Sequence, residues 1–302
     1  MLGSLRLWGS GRLHIMTRMT EIDSGVHVAR RVRSRALIFP REHGAWGLLL
    51  VPLFTGVVAG IAAAHQLWPL ALFTAAALFL FWLRTPVESL LGWGPIVAQT
   101  SPERRTAFIA SVALAAASVA CLTGLMWHGR HLKLLLIGAV AVSAFVVQVV
   151  LRRLGRNTRM VSQLVGAVGL TGTAPAAYYL GAGHLDARGF ALWVANWLFA
   201  WNQIHFVQMR IHGARAATFS EKFAQGRVFF FTQPLVLASL VLASLLRLVP
   251  PLVIIAFVPV LVRGTRWFFR GPEPLDIKKL GWSEMTHAVV FGILLVITFL
   301  SA

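Results

Sequence analysis

The chain has 302 residues, of which 57% are hydrophobic and 13% charged, and its 28 Lys and Arg against 10 Asp and Glu give a formal charge of +18. Soluble domains carry roughly 25% charged and about 45–50% apolar residues, so this is a membrane composition that excludes collagen, coiled coil and a wholly disordered chain. Cys121 is the only cysteine, which excludes an internal disulfide. The basic excess would point to nucleic acid in a soluble chain; here it is read through the bilayer, and no nucleic-acid partner is expected.

Residues 1–37 are Arg-rich and lack the 7–15-residue apolar core of a signal peptide. They are expected to form a disordered basic cytoplasmic tail, followed by one transmembrane helical domain over 38–302. Apolar runs of about 20 residues read as spans, and nine occur: 45–64, 67–83, 106–127, 133–151, 160–181, 189–208, 228–246, 249–262 and 283–301. Turn chemistry or charge separates them, as at His65-Gln66, Gly181-Ala182-Gly183 and Pro250-Pro251. The eighth run is the shortest for a crossing. Lys and Arg concentrate on the cytoplasmic side of membrane proteins. With the N-terminus inside, 24 of the 28 basic residues fall on that side, leaving Arg130, Lys133, Arg188 and Arg247 outside. The expected fold is therefore an all-α polytopic bundle of about nine helices with a cytoplasmic N-terminus, in the cell's inner (plasma) membrane.

Ionisable groups at membrane depth usually face the bundle interior. The first span opens Pro40-Arg41-Glu42-His43, readable as a helix start or as a polar patch at the bundle mouth. The loop end of the second span carries Arg84 and Glu88. In the sixth, Trp193, Trp197 and Trp201 form a stripe suited to packing or lipid. Asn202, His205 and His212 lie on another face with Gln203 and Gln208 beside them, and Arg210 follows. Such groups need partners in a dry medium, either on other helices or in a ligand. Gly166, Gly169 and Gly172 in the fifth span read as close helix packing. In the last span Glu284 and His287, three apart, share a face and read as a hydrogen-bonded pair. One Glu-x-x-His copy is short of the carboxylate set of a di-iron bundle, and no Cys/His cluster has zinc spacing; no metal site is expected.

The opening PREHGAWGLLLVPLFTG, Pro40 to Gly56, resembles the signature of the YwiC-like family of bacterial membrane proteins. LGWSEMTHAVVFGILL, Leu280 to Leu295, is similar to that family's C-terminal helix. The resemblance implies a polytopic membrane protein and no particular reaction. The architecture is also similar to the UbiA-type membrane prenyltransferases. Their paired Asp-x-x-x-Asp motifs are missing, since the aspartates are Asp23, Asp186 and Asp276 alone.

Charge-derived topology sets Glu42, His43, Arg84, Glu88, Asn202, His205, Arg210, Glu284 and His287 toward the cytoplasmic ends of their helices. They are the candidate lining of a cytoplasm-facing pocket for an anionic or amphiphilic ligand, isoprenoid-, quinone- or lipid-like. No catalytic residue and no cofactor follows from the sequence. Transport of a small solute and a non-catalytic membrane scaffold are the alternative functions.

Overall fold

A computed structural model describes residues 33, 35–39, 43–64, 67–94, 96–127, 129, 132–155, 158–272 and 274–301. Among them there are ten helices of ten or more residues and no strand: α1 His43–Ala64, α2 Leu67–Leu91, α3 Ser101–Trp127, α4 Leu132–Arg153, α5 Arg159–Thr171, α6 Thr173–Ala182, α7 Ala187–His212, α8 Phe219–Leu245, α9 Val253–Phe269 and α10 Ile277–Leu300. Six of these (α1, α2, α3, α4, α8 and α10) are long and apolar enough to cross a membrane. The fold is an all-helical, multi-pass bundle, as the hydropathy pattern implies.

The chain divides into two compact units. One comprises Met1–Arg41 with Leu78–Ala120. Most of the expected tail lies outside the described residues, but 35–38 are helical and Leu37 is fully buried. Trp82 Nε1 donates to the Ile38 carbonyl at 2.8 Å and Ser89 Oγ to that of Leu37 at 3.4 Å. Arg33 Nε meets Glu103 Oε1 at 2.5 Å, and the other carboxylate oxygen of Glu103 accepts the Gln99 and Thr100 N–H groups at the start of α3. An acid in the first turn is where the helix dipole favours one.

The second unit, Glu42–Ala77 with Cys121–Ala302, holds the larger core. Phe199 of α7 stacks on Phe291 of α10 at 4.0 Å, with Phe257 of α9 edge-on at 5.1 Å. Outside that core α4 exposes Leu135, Leu136, Val142 and Phe145. Apolar faces of that extent are suited to lipid.

The apolar run 160–181 is two helices rather than one. Pro175 has no N–H to give the Thr171 carbonyl, and the chain bends at Gly172 between α5 and α6. The Thr171 hydroxyl donates to the Ala167 carbonyl at the end of α5, and the Thr173 hydroxyl donates to the Leu170 carbonyl across the break. The glycine series packs as its spacing implies. A Cβ on Gly166 would sit 2.5 Å from the Gln148 side chain, and one on Gly169 3.2 Å from the Ala141 carbonyl oxygen, both on α4. Closer still is the approach of α6 to α1. A Cβ on Gly56 would lie 2.2 Å from the Ala174 carbonyl oxygen, and Gly60 faces Gly181 backbone to backbone.

Helix starts follow side-chain caps. Asp186 accepts the Arg188 and Gly189 N–H groups to open α7, and Asp276 those of Lys278 and Lys279 to open α10. Burial alone would raise the Asp186 carboxyl, but the Gly189 N–H, the Tyr178 hydroxyl and the Arg188 N–H together hold it below the ordinary range. Thr218 and Glu221 form a capping box that starts α8 at Phe219, nine residues ahead of the apolar run at 228.

The α1–α6 contact generates a test. Gly56→Ala should lower stability by about 1–3 kcal/mol, because a methyl driven against backbone has no flexible neighbour to displace. Thermal unfolding of the purified protein in detergent reads this, and Gly44→Ala, with nothing within 4 Å of its Cβ position, serves as the neutral comparison.

Candidate functional site

Helices α7 to α10 bury a polar cluster inside the apolar core of the second unit. It is built from Asn202 and Gln203 on α7, Gln233 on α8, Arg263 on α9 and Glu284 on α10. Asn202, Gln203, Gln233 and Glu284 are all 6% exposed or less. The Arg263 side chain is 10% exposed and places Nη1 at 2.5 Å from Glu284 Oε2, with its guanidinium 4.1 Å over the Phe206 ring. Gln203 Nε2 donates to the Glu284 carbonyl oxygen at 2.8 Å, and Asn202 Nδ2 to Gln233 Oε1 at 2.9 Å. The position beside Arg263 has to be glycine. A Cβ on Gly264 would stand 2.9 Å from the Phe229 ring and 3.2 Å from Gln233 Oε1.

Arg263 was expected in the loop following an apolar run that ends at 262. Helix α9 instead continues to Phe269, because the guanidinium finds its counter-charge on α10 and need not reach water. The far end of α9 is held by a second buried cation. Lys222, 2% exposed, donates through Nζ to the carbonyls of Trp267, Arg270 and Gly271 at 3.3, 2.6 and 3.2 Å. A lysine on the last carbonyls of a helix satisfies acceptors that have no intrahelical donor.

Several atoms of the cluster have no hydrogen-bond partner among the described residues: Arg263 Nε and Nη2, Glu284 Oε1 and Asn202 Oδ1. Nε and Nη2 form one edge of the guanidinium, so Arg263 shows Glu284 one nitrogen and keeps a two-donor fork. Such a fork matches the paired oxygens of a carboxylate or phosphate. Among the described residues no group of three or more His, Cys, Asp or Glu is placed to hold a metal ion.

Of the residues singled out in the sequence, Asn202, Gln203 and Glu284 stand in this cluster. His205 is half-buried one turn further along α7, edge-on to Phe229 at 5.3 Å. Arg210 is half-buried in the last turn of α7. Glu284 turns to Arg263 and not to His287, whose Nδ1 lies 2.7 Å from the Ser283 carbonyl oxygen of its own helix. Arg84 and Glu88 belong to the other unit, where they pair with each other at 2.9 Å along α2. Glu42 lies outside the described residues, as does the side chain of His43, the first residue of α1. The tryptophan stripe packs, with Trp193 Nε1 donating to the Val168 carbonyl of α5 at 3.2 Å. Gln233 and Arg263 were not singled out. Gln233 is the one amide in the run Phe229–Val236, so the argument applied to Asn202 would also have found it.

Ten helices, apolar outer faces and an interior ion pair define a multi-pass membrane protein with a polar core. Residues 39–178, a little under half of the chain, match the family model described as YwiC-like protein, and over that stretch the chain is similar to that family. The match ends at Tyr178, so it spans α1 to α5 and part of α6, and the polar cluster on α7 to α10 lies wholly beyond it. No curated protein and no solved structure matches the chain.

Removing one partner of a buried pair strands the other charge and costs about 3–5 kcal/mol, whereas apolar replacement of both is often neutral or better. Arg263→Ala and Glu284→Ala should each strongly lower the unfolding midpoint in detergent. The double variant Arg263→Met/Glu284→Leu should recover most of that loss. Additive losses would show that the two side chains are not a pair.

Proposed function

We propose that the chain binds an amphiphile, isoprenoid-, quinone- or lipid-like, whose anionic or polar head enters the interior of α7 to α10. The observation that carries this reading is the buried Arg263 fork, whose donors Nε and Nη2 are both unmatched. A buried donor without an acceptor costs roughly 1–3 kcal/mol, and a guest offering two oxygens would remove that cost at Arg263. His205 and Arg210 lie on α7 and His287 on α10, two of the four helices of the cluster, and Glu42 and His43 are assigned to the mouth from the sequence. The apolar faces around the cluster suit a hydrocarbon tail. The binding chemistry is charge and hydrogen bonding from a guanidinium and amides.

The proposed setting is the inner (plasma) membrane, crossed nine times with the N-terminus in the cytoplasm, supported by the distribution of basic residues. Phosphatase fusions should be active after Gly183 and after Ala302 and inactive after Gly155. An inactive fusion after Ala302 would remove one crossing.

The ligand reading is tested by extracting small molecules and lipids from the purified protein and identifying them by mass spectrometry. The wild-type chain should hold an amphiphile enriched over bulk membrane lipid, and the folded Arg263→Met/Glu284→Leu variant should lose it. Identical extracts from both proteins would overturn the proposal and leave the polar groups as helix-joining contacts alone.

A further inference from the structure

Helix α9 has two faces of different character. Val260, Gly264, Trp267 and Phe268 are buried, at the spacing of one helical stripe, whereas Val262, Thr265, Arg266, Phe269 and Arg270 are exposed. The exposed side carries a shallow groove of about 490 Å³ lined by Leu261, Val262, Thr265, Arg266, Phe269 and Arg270. That volume falls within the ~300–1,000 Å³ of small-molecule sites. Its lining contains two arginines and no carboxylate.

The order of these residues along the helix axis matters. Leu261 and Val262 come first, Thr265 follows, and Arg266 and Arg270, with Phe269 between them in the sequence, stand at the end where α9 gives way to its loop. At 1.5 Å rise per residue the gradient from apolar to cationic runs over roughly 13 Å. An amphiphile lying along the helix would therefore place its tail and its head on matching surfaces at the same time. The cationic end is also built on a fixed backbone. Lys222 Nζ holds the Arg270 carbonyl at 2.6 Å, and Phe269 stacks on Phe219 at 5.3 Å, itself stacked on Phe223 at 5.8 Å.

We propose that this groove is a binding site for an anionic phospholipid, with an acyl chain along Leu261 and Val262 and the phosphodiester between Arg266 and Arg270. A lipid is favoured over a free anion because most of the groove surface is apolar and would contribute nothing to an ion. The site lies on the opposite face of α9 from Gly264 and uses neither Arg263 nor Glu284. It therefore stands apart from the proposed interior site.

The test uses the full chain purified in a mild detergent and titrated with phosphatidylglycerol, phosphatidylcholine or inorganic phosphate. Native mass spectrometry counts bound lipid, and the unfolding midpoint is followed in parallel. Phosphatidylglycerol should stay bound and raise the midpoint, with phosphatidylcholine and inorganic phosphate having little effect. Arg266→Gln/Arg270→Gln should weaken phosphatidylglycerol binding roughly thirtyfold, two basic groups each acting at a lipid surface. Thr265→Trp, which fills the groove but keeps both arginines, should lose the same binding while leaving the detergent midpoint unchanged. Undiminished binding by either variant overturns the site, the second outcome meaning diffuse attraction to a basic surface. A full midpoint shift with inorganic phosphate alone overturns the lipid as occupant. None of these outcomes bears on the amphiphile extracted from wild-type and Arg263→Met/Glu284→Leu protein.

Discussion

A guanidinium and a carboxylate leave water together or at great cost, and the Arg263–Glu284 pair imposes that condition on four helices. The charge on α9 fixes how α10 must turn, because Glu284 has to meet it. Gln203 of α7 then takes the Glu284 backbone carbonyl, and Phe206 of the same helix covers the guanidinium face. Asn202 joins Gln233 of α8, so the fourth helix is tied through amides and not charge. Gly264 is the steric counterpart of this arrangement, since any side chain there would displace Phe229 or Gln233. In a hydrocarbon surround helices gain little by hiding apolar surface from one another. Polar contacts of this kind therefore specify which helices meet and in what rotation.

The opposite strategy operates where α1 meets α6. There the contact is made by the absence of side chains, with Gly56, Gly60 and Gly181 letting backbones approach until a single methyl would collide. Small residues at spacings of four are what close membrane packing uses. One polar link crosses from this region to α7: Asn196 Nδ2 reaches Thr55 Oγ1 at 3.1 Å, and both residues are buried. Thr55 is available because its hydroxyl lies in the turn after Pro52, bonded to that residue's carbonyl.

Hydropathy makes the helices legible because the bilayer demands long apolar runs, and it fails at their ends for the same reason. A window that stops at the first charge ends α9 at Val262, although a charge with a partner 21 residues away can stay inside. It also starts α8 too late, passing over Thr218-Phe219-Ser220-Glu221, a cap signature readable in the sequence. The break at Gly172 was open to reading from Pro175, but apolar continuity outweighed it. At the site, Asn202 and Glu284 were visible as polar groups at the wrong depth. Their partners were not, because pairing is a property of helix rotation, which periodicity leaves undetermined. The same ambiguity sent Glu284 to His287 on its own helix when its counter-charge lay on α9.

The described carboxylates can be accounted for one by one, and the account bears on chemistry. Asp186 and Asp276 cap helices, Glu221 closes a capping box, Glu103 holds Arg33 and two backbone N–H groups, and Glu88 pairs with Arg84. Each of these is committed at a helix start or along a helix surface. Glu284 alone among the described acids faces the interior of the α7–α10 cluster, and its Oε2 is already paired with Arg263. Chemistry that clamps a diphosphate between paired acids and a metal needs at least two carboxylates converging on one point. The described residues of this cluster offer one carboxylate, one guanidinium and three amides. With a single acid beside the guanidinium, that set lacks the converging carboxylates such a clamp requires, and its hydrogen-bonding capacity is dominated by one guanidinium and the amides.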